Sequence, residues 1–504
     1  MITNTIANFL GLFLSLLLSF VFAPIFLYYL GDDQYGLIGI FLLFQITFAV
    51  LDVGLSPTLA RQISHARGLQ KDFYQVLKLL KSFEVIFLSF AFLTLLVFLL
   101  AREMIIYFIQ ERSSLDDLLI SECVVILGFL ISVRWFFSLY RSGLVGFEDQ
   151  VWLNVTISVT NTSRYLLILG LLLITDIDVT YFFALQLFFT IVDVVLLRRR
   201  LYLNLSVKNP MPPLIYFDFH AVRKVLPFTL SVAVSAILWM AVNDLHKTAL
   251  AIELTLKEYG YFTITTMLSG AIILIAQPVS QSLIPRLTVL KSKRSDCELM
   301  NVYTQSSQFI VALSFSIMTI FWFYAEDILT IWTQNEELAT WGVEPLRWFS
   351  LGNCFLCLSA FPYYLQVATG KLNLHLYGQL FATCLQVPII YFATISYGAV
   401  GAGIAWAVFR SVWFFTWVAF IHTKFLPDFH TYWLFLKISP IIVTIVLIST
   451  SCFTIMQQFA IDNSFIIILL YIGIFLLTFI LGSLWIDGIR AKITEQLNYQ
   501  KNTR

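Results

Sequence analysis

The chain is a succession of long apolar runs separated by short polar gaps. The runs predict helices over 6–30, 37–60, 83–109, 118–142, 150–174, 178–198, 225–252, 260–285, 303–324, 342–368, 375–397, 399–422, 432–457 and 463–487. Most are long enough to cross a hydrocarbon layer, which takes about 20 apolar residues in a helix. Strands are excluded as the spanning element, because the runs are continuously apolar and do not alternate over about ten residues. The expected fold class is an all-α integral membrane protein of fourteen transmembrane helices. The longest gap of mixed composition holds Pro210, Pro212 and Pro213 between basic clusters. It predicts a cytoplasmic linker at 201–224 between two six-helix lobes, 1–200 and 225–424, with 425–504 as an accessory helix pair and tail.

A short repeat fits this division. Leu30-x-x-x-x-Tyr35-Gly36 follows the first run and Leu254-x-x-x-x-Tyr259-Gly260 the seventh, while Pro57-x-Leu59 and Pro285-x-Leu287 close the second and the eighth. Six spans separate the copies, so both halves run the same way, a parallel repeat about an axis along the membrane normal. The glycines of the two outer turns are expected to serve a positive φ.

Composition agrees with the pattern. Of 504 residues 59% are hydrophobic and 12% charged, against about a quarter charged in soluble domains, too few to solvate a globular surface. A net charge of +1 excludes an overall electrostatic case for nucleic acid or an acidic partner. The placement of the charges says more than their sum. Gaps on the N-terminal side carry 22 Lys and Arg, the opposite gaps carry Arg102, Arg112 and Lys257, and six lie within spans. By the positive-inside rule both termini are cytoplasmic. The first run reaches Leu30 with no preceding Lys or Arg, too long for a signal-peptide core, so it is expected to be retained. The basic stretch 61–81, with Phe73, Val76, Leu77 and Leu80 between its charges, predicts an amphipathic helix at the anionic inner leaflet.

The six cysteines fall mostly inside apolar runs, where thiols behave as small hydrophobes. Cys354-x-x-Cys357 has redox or metal-like spacing but no His or further Cys beside it. No G-x-x-x-x-G-K-[ST], H-E-x-x-H or G-x-S-x-G motif is present. The sequence therefore predicts no catalytic residue, metal or cofactor, and no enzyme.

Short patterns along nearly the whole chain carry a resemblance. Leu30-Gly31 with Tyr35-Gly36, then Asp52-Val53-Gly54-Leu55 and Arg61, resemble the N-terminal signature of bacterial O-antigen and polysaccharide flippases, of the multidrug/oligosaccharidyl-lipid/polysaccharide exporter superfamily. Glu258-Tyr259-Gly260-Tyr261 after Asp244, Pro278 and Pro285, Ala368-Thr369-Gly370-Lys371 and Gly398-Ala399-Val400-Gly401-Ala402-Gly403 sit where such proteins carry similar patterns. The resemblance implies a two-lobed transporter of the bacterial inner membrane that moves undecaprenyl-pyrophosphate-linked oligosaccharide to the outer leaflet by alternating access. Its partners would be that lipid-linked oligosaccharide, membrane lipids and other polysaccharide-assembly proteins.

Charges at membrane depth cost roughly 2.5 to 3.5 kcal/mol each on insertion scales and so mark wet cavities or partners. The deep set is Asp52, Arg134, Arg164, Asp193, Asp244, Lys247 and Arg410. Its four cations suit the anionic substrate that the resemblance implies. Gln45, Asp52 and Ser56 share one stripe of the second span; Asn154, Ser158, Asn161 and Tyr165 share one of the fifth, with Arg164 on its flank. Helix-to-helix hydrogen bonding is the alternative for that stripe, and a structural cap the alternative for Asp52. Gly403, Trp406, Arg410, Trp413 and Trp417 share a face of the twelfth span, fit to line a glycan path. Asp244 and Lys247, one turn apart, are placed either to neutralise each other or to serve substrate or ion.

The expected substrate-binding set is Arg134, Arg164, Lys247, Arg410, Asn154, Asn161 and Trp406, with Asp52 and Asp244 in coupling or gating. Arg164 and Arg410 are expected on the diphosphate, an interhelical ion pair with Asp193 or Asp52 being the alternative for either. A multidrug exporter of organic cations is the nearest rival, but it wants an acidic cavity. A membrane glycan polymerase or ligase wants a sizeable outer loop, and the longest outer gap, 325–341, is short.

Overall fold

A computed structural model describes the backbone of residues 2–490 apart from 51, 53, 70–72, 206–212, 214, 372 and 460–462, and their side chains apart from 2–6, 50, 275 and 280–282. Every regular element among these is helical. Eleven helices of the described residues are long and apolar enough to cross a membrane. Packing divides the chain into two compact units, Met1–Gly260 and Tyr261–Arg504.

The first unit contains α1 Ile2–Leu30, α2 Asp32–Val50, α3 Leu55–Gly68, α4 Tyr74–Leu100, α5 Arg102–Gln110, α6 Asp117–Gly146, α7 Gln150–Ile174, α8 Val179–Leu205 and α9 Phe219–Glu253. Its core lies where α4, α6 and α8 meet, with Leu77, Leu80, Phe83, Phe87, Leu139, Leu144, Leu197 and Leu201 fully buried. The predicted second span is in fact broken between α2 and α3. Gly54 at the break has φ 72°, and a β-carbon there would stand 2.6 Å from the Thr229 carbonyl oxygen on α9. Both the left-handed backbone and the close approach require glycine. Pro57 follows in the first turn of α3, where its missing N–H costs no helical hydrogen bond. The stripe of Gln45, Asp52 and Ser56 does not survive, since it assumed one uninterrupted helix.

Two further expectations are corrected. Residues 61–81 do not form one amphipathic helix: α3 ends at Gly68, α4 starts at Tyr74, and Lys81 is only 4% exposed. Gly36 and Gly260 have no positive φ, which belongs to Gly31 at 81°. They are small because the backbones meet. A β-carbon on Gly36 would run into the Leu256 carbonyl oxygen, and one on Gly260 would lie 3.1 Å from the Gly36 nitrogen. The two copies of the Tyr-Gly repeat thus touch at one end of this unit, beside an ion pair of Lys257 with Asp32 at 3.4 Å. The start of α9 is capped by Asp218, whose Oδ1 accepts the Ala221 N–H at 3.0 Å. Much of the predicted linker, 206–212 and 214, lies outside the described residues, and α9 packs against α2, α3 and α4.

Helix α10, Leu256–Ser292, begins in the first unit and continues into the second. There follow α11 Asp296–Phe323, α12 Ala325–Thr333, α13 Glu336–Ser359, α14 Phe361–Thr369 and α15 Asn373–Trp413. A π-helical turn, Phe414–Val418, leads to α16 Ala419–Phe425 and α17 Phe429–Tyr432; a second, Trp433–Ile438, leads to α18 Ser439–Met456, and α19 is Ser464–Ser483. Helix α15 is two helices joined at Tyr397 and Gly398, whose φ values are −137° and 57°. That break falls where the sequence separates the eleventh and twelfth spans. Helices α18 and α19 pack on α11. Ser449 on α18 donates to Thr319 at 2.9 Å, and Gln308 donates to the Trp485 carbonyl just beyond α19 at 3.1 Å.

Candidate functional site

Three charged residues of the first unit sit at one depth. Arg134 lies 12 residues before the end of α6, Arg164 14 residues after the start of α7, and Asp193 12 residues before the end of α8. At a rise of about 1.5 Å per residue, each is roughly 20 Å from the same end of its helix, deep in a hydrocarbon layer. Helices α6 and α7 both pack against α8.

Aromatic rings hold the guanidinium groups. Arg134 lies 5.9 Å from the centroid of Phe41, and Arg164 lies 5.3 Å from that of Tyr165. Tyr165 packs against Phe22 at 4.9 Å and stacks on Phe26 at 5.8 Å, with its hydroxyl 3.3 Å from that of Ser19. Asp193 is 5% exposed, and its Oδ1 has no hydrogen-bond partner among the described residues. No carboxylate of those residues comes within 4.0 Å of either guanidinium. The group therefore carries one net positive charge and leaves donors unused, which is the requirement for holding an anion out of water.

The other predicted residues divide. Asn154 donates to Asn8 Oδ1 at 2.5 Å and to the Gln150 carbonyl at 2.7 Å, the helix-to-helix alternative, while the Asn161 side chain has no partner among the described residues. Lys247 donates to Asp244 at 2.7 Å, so this pair is locally neutralised. Asp52 stands at the helix break, where its Oδ1 accepts the Ser56 N–H and its Oδ2 the Ser138 hydroxyl, both at 3.0 Å. In the second unit Arg410 is 4% exposed and lies 4.2 Å from the Trp406 centroid. Trp406 is itself buried and donates to Asn353 Oδ1 at 3.1 Å. Phe409, Trp413 and Trp417 form a stacked ladder with spacings of 5.9 and 5.0 Å. Cys354 and Cys357 are buried thiols whose sulfurs lie against the Ser314 and Ile272 carbonyls.

Sequence reasoning missed a second charged cluster. Glu84 accepts hydrogen bonds from the Tyr140 hydroxyl at 2.8 Å, the Tyr202 hydroxyl at 2.9 Å and Lys81 at 2.9 Å, with Arg198 at 3.6 Å. The available signal was a glutamate at the very start of an apolar run, three residues after a lysine. At the turn from α6 to α7, burial acts to raise the Asp149 carboxyl, but hydrogen bonds from Arg200 at 2.7 Å and Asn204 at 3.0 Å outweigh it and hold its pKa below the usual carboxylate value.

Membrane-length apolar helices, with half-buried arginines at mid-depth, define a multi-pass membrane protein. The chain belongs to the polysaccharide biosynthesis protein family, whose model matches residues 1–291. Among solved structures it is similar to the lipid II flippase MurJ in an inward closed conformation, at 15% identity and a TM-score of 0.69, with 100% of each chain covered. It is also similar to an inward-facing multidrug resistance MATE family transporter of the MOP superfamily, at 13% identity and a TM-score of 0.61, covering 81% of this chain and 95% of that one. A MOP superfamily transporter from Pyrococcus furiosus, described as having a binding pocket of reverse polarity, matches at 12% identity and a TM-score of 0.53, covering 83% and 96%. No curated protein matches the chain significantly.

Proposed function

We propose that the protein is a flippase that carries a diphosphate-linked lipid oligosaccharide, an O-antigen or related polysaccharide repeat unit, across the bacterial inner membrane by alternating access. The observation that carries this reading is the pair of half-buried cations at mid-depth, Arg134 and Arg164, with no carboxylate at ion-pair distance among the described residues. A diphosphate supplies the missing charge and accepts from both guanidinium groups. An organic cation would be repelled there, which disfavours a multidrug exporter. Membership in a polysaccharide biosynthesis family supports the glycan part of the reading.

In this reading the chain crosses the membrane fourteen times with both termini cytoplasmic, as the placement of Lys and Arg argues. The repeat-related lobes 1–200 and 225–424 move against each other, and 425–504 is an accessory pair and tail. Arg410, Lys247, Asn161 and Trp406 are assigned to the substrate path, with Asp52 and Asp244 as gating groups whose present bonds are exchanged during the cycle.

Deletion of the gene, followed by extraction of lipid-linked intermediates, tests the proposal. Completed repeat units are expected to accumulate on the cytoplasmic leaflet. Accumulation of unfinished units, or of finished units at the outer face, would point to a synthetic or polymerising role instead.

A further inference from the structure

We propose that a cavity at one end of the second unit, lined by Lys291, Lys371 and Lys424, binds an organic phosphate. Its lining residues fall between 288 and 426, all inside that unit, so the site is independent of the arginines of the first. Three gaps of the sequence meet there, those after the eighth, tenth and twelfth apolar runs, which the placement of Lys and Arg argues to be cytoplasmic. Lys291 stands in the last turn of α10 and Lys424 in that of α16. Lys371 follows Gly370, whose φ of 70° ends α14, and its N–H turns back to donate to the Gln366 carbonyl at 3.0 Å. Such a left-handed helix end favours glycine, and here it sets the lysine after it against the cavity. The Ala368-Thr369-Gly370-Lys371 pattern thereby supplies one wall of the site.

Charge and polarity define the ligand. The cavity has a volume of about 390 Å³, within the range of about 300 to 1,000 Å³ usual for small-molecule sites. Lys291 pairs with Asp296 at 2.8 Å, while no carboxylate of the described residues comes within 4.0 Å of Lys371 or Lys424. Three ammonium groups against one carboxylate leave an excess of positive charge. The hydroxyls of Thr288, Ser292 and Thr369 each donate to a carbonyl of their own helix, at 2.8, 2.8 and 3.0 Å, so the ammonium groups are the donors that a ligand meets. Lysine acts on phosphate as a point charge, and the lining holds no arginine, the fork that suits planar carboxylates. Leu299, Leu365 and Phe425 add an apolar wall, which fits a phosphate carried on an organic body. A basic pocket between helices at the cytoplasmic side can draw that phosphate from an anionic lipid headgroup or from solution.

The test uses the full-length protein in phosphatidylcholine nanodiscs. One arm titrates inorganic pyrophosphate by calorimetry; the other adds a trace of photoactivatable phosphatidylglycerol and maps its cross-links by mass spectrometry. Pyrophosphate binding that depends on the lysines assigns a soluble source, and lysine-dependent cross-links within 288–299, 361–371 and 419–426 assign a lipid headgroup; either supports the site. At about fivefold for each lysine, Lys291→Ala with Lys371→Ala and Lys424→Ala is expected to weaken pyrophosphate binding about a hundredfold, or to abolish those cross-links. Arg199→Ala with Arg223→Ala and Lys224→Ala removes the same charge from exposed positions of the first unit and should change neither. Lys371→Glu alone, at an exposed position, serves if the lysine triple does not fold. No binding or cross-linking in either arm, or an equal loss in both triple variants, overturns the proposal. So does a lysine triple that binds as wild type but melts at a lower temperature, since the lysines would then serve only the helix C-termini.

Discussion

A carboxylate taken out of water must have its charge offset and its lone pairs filled, and Glu84 meets both needs while Asp193 does not. Glu84 is tied to Lys81, Tyr140 and Tyr202, with Arg198 close by, so it joins α4, α6 and α8. Replacing it with alanine leaves a buried lysine and two tyrosine hydroxyls without their acceptor. Glu84→Ala is expected to destabilise the first unit by about 3 to 5 kcal/mol, read as a lowered unfolding temperature in detergent. A loss under about 0.5 kcal/mol would mean that solvent replaces the carboxylate freely. The sequence flagged each deep charge singly through its insertion cost. It did not reveal that Arg134, Arg164 and Asp193 lie at one depth, because they come from three helices and no spacing along one helix relates them. Nor could it choose between the two readings of Asn154, since a stripe of amides looks the same whether it faces a cavity or Asn8.

At the scale of elements, apolar run length was a sound guide because a bilayer leaves a helix few alternatives. The breaks were harder. The one at Tyr397 and Gly398 was legible from a glycine-rich segment between two full-length runs. The one before Leu55 was not, because the polar interruption is short and the apolar run resumes at once after Asp52. The repeat glycines were found for the wrong reason, backbone freedom instead of close approach. Their contact predicts a measurable proximity. With the six native cysteines replaced, Asp32→Cys and Lys257→Cys should be joined by a short bifunctional thiol reagent, since the native side chains form an ion pair at 3.4 Å. Failure of this pair to cross-link, while each single cysteine is readily labelled, would remove the contact between the two turns.

For the whole molecule, the distribution of Lys and Arg argues orientation, and the family match argues a part in polysaccharide biosynthesis. The account's central claim is narrower: the unpaired arginines of the first unit hold the substrate's diphosphate. Positions whose charge serves only the fold should betray themselves through lost protein, whereas positions that serve the substrate should not. The direct measurement is therefore glycan export, together with the lipid-linked intermediates, in cells carrying Arg134→Ala with Arg164→Ala at wild-type abundance. The account predicts that export stops and completed repeat units collect on the cytoplasmic leaflet, as in the deletion; normal export by that abundant double variant would contradict it.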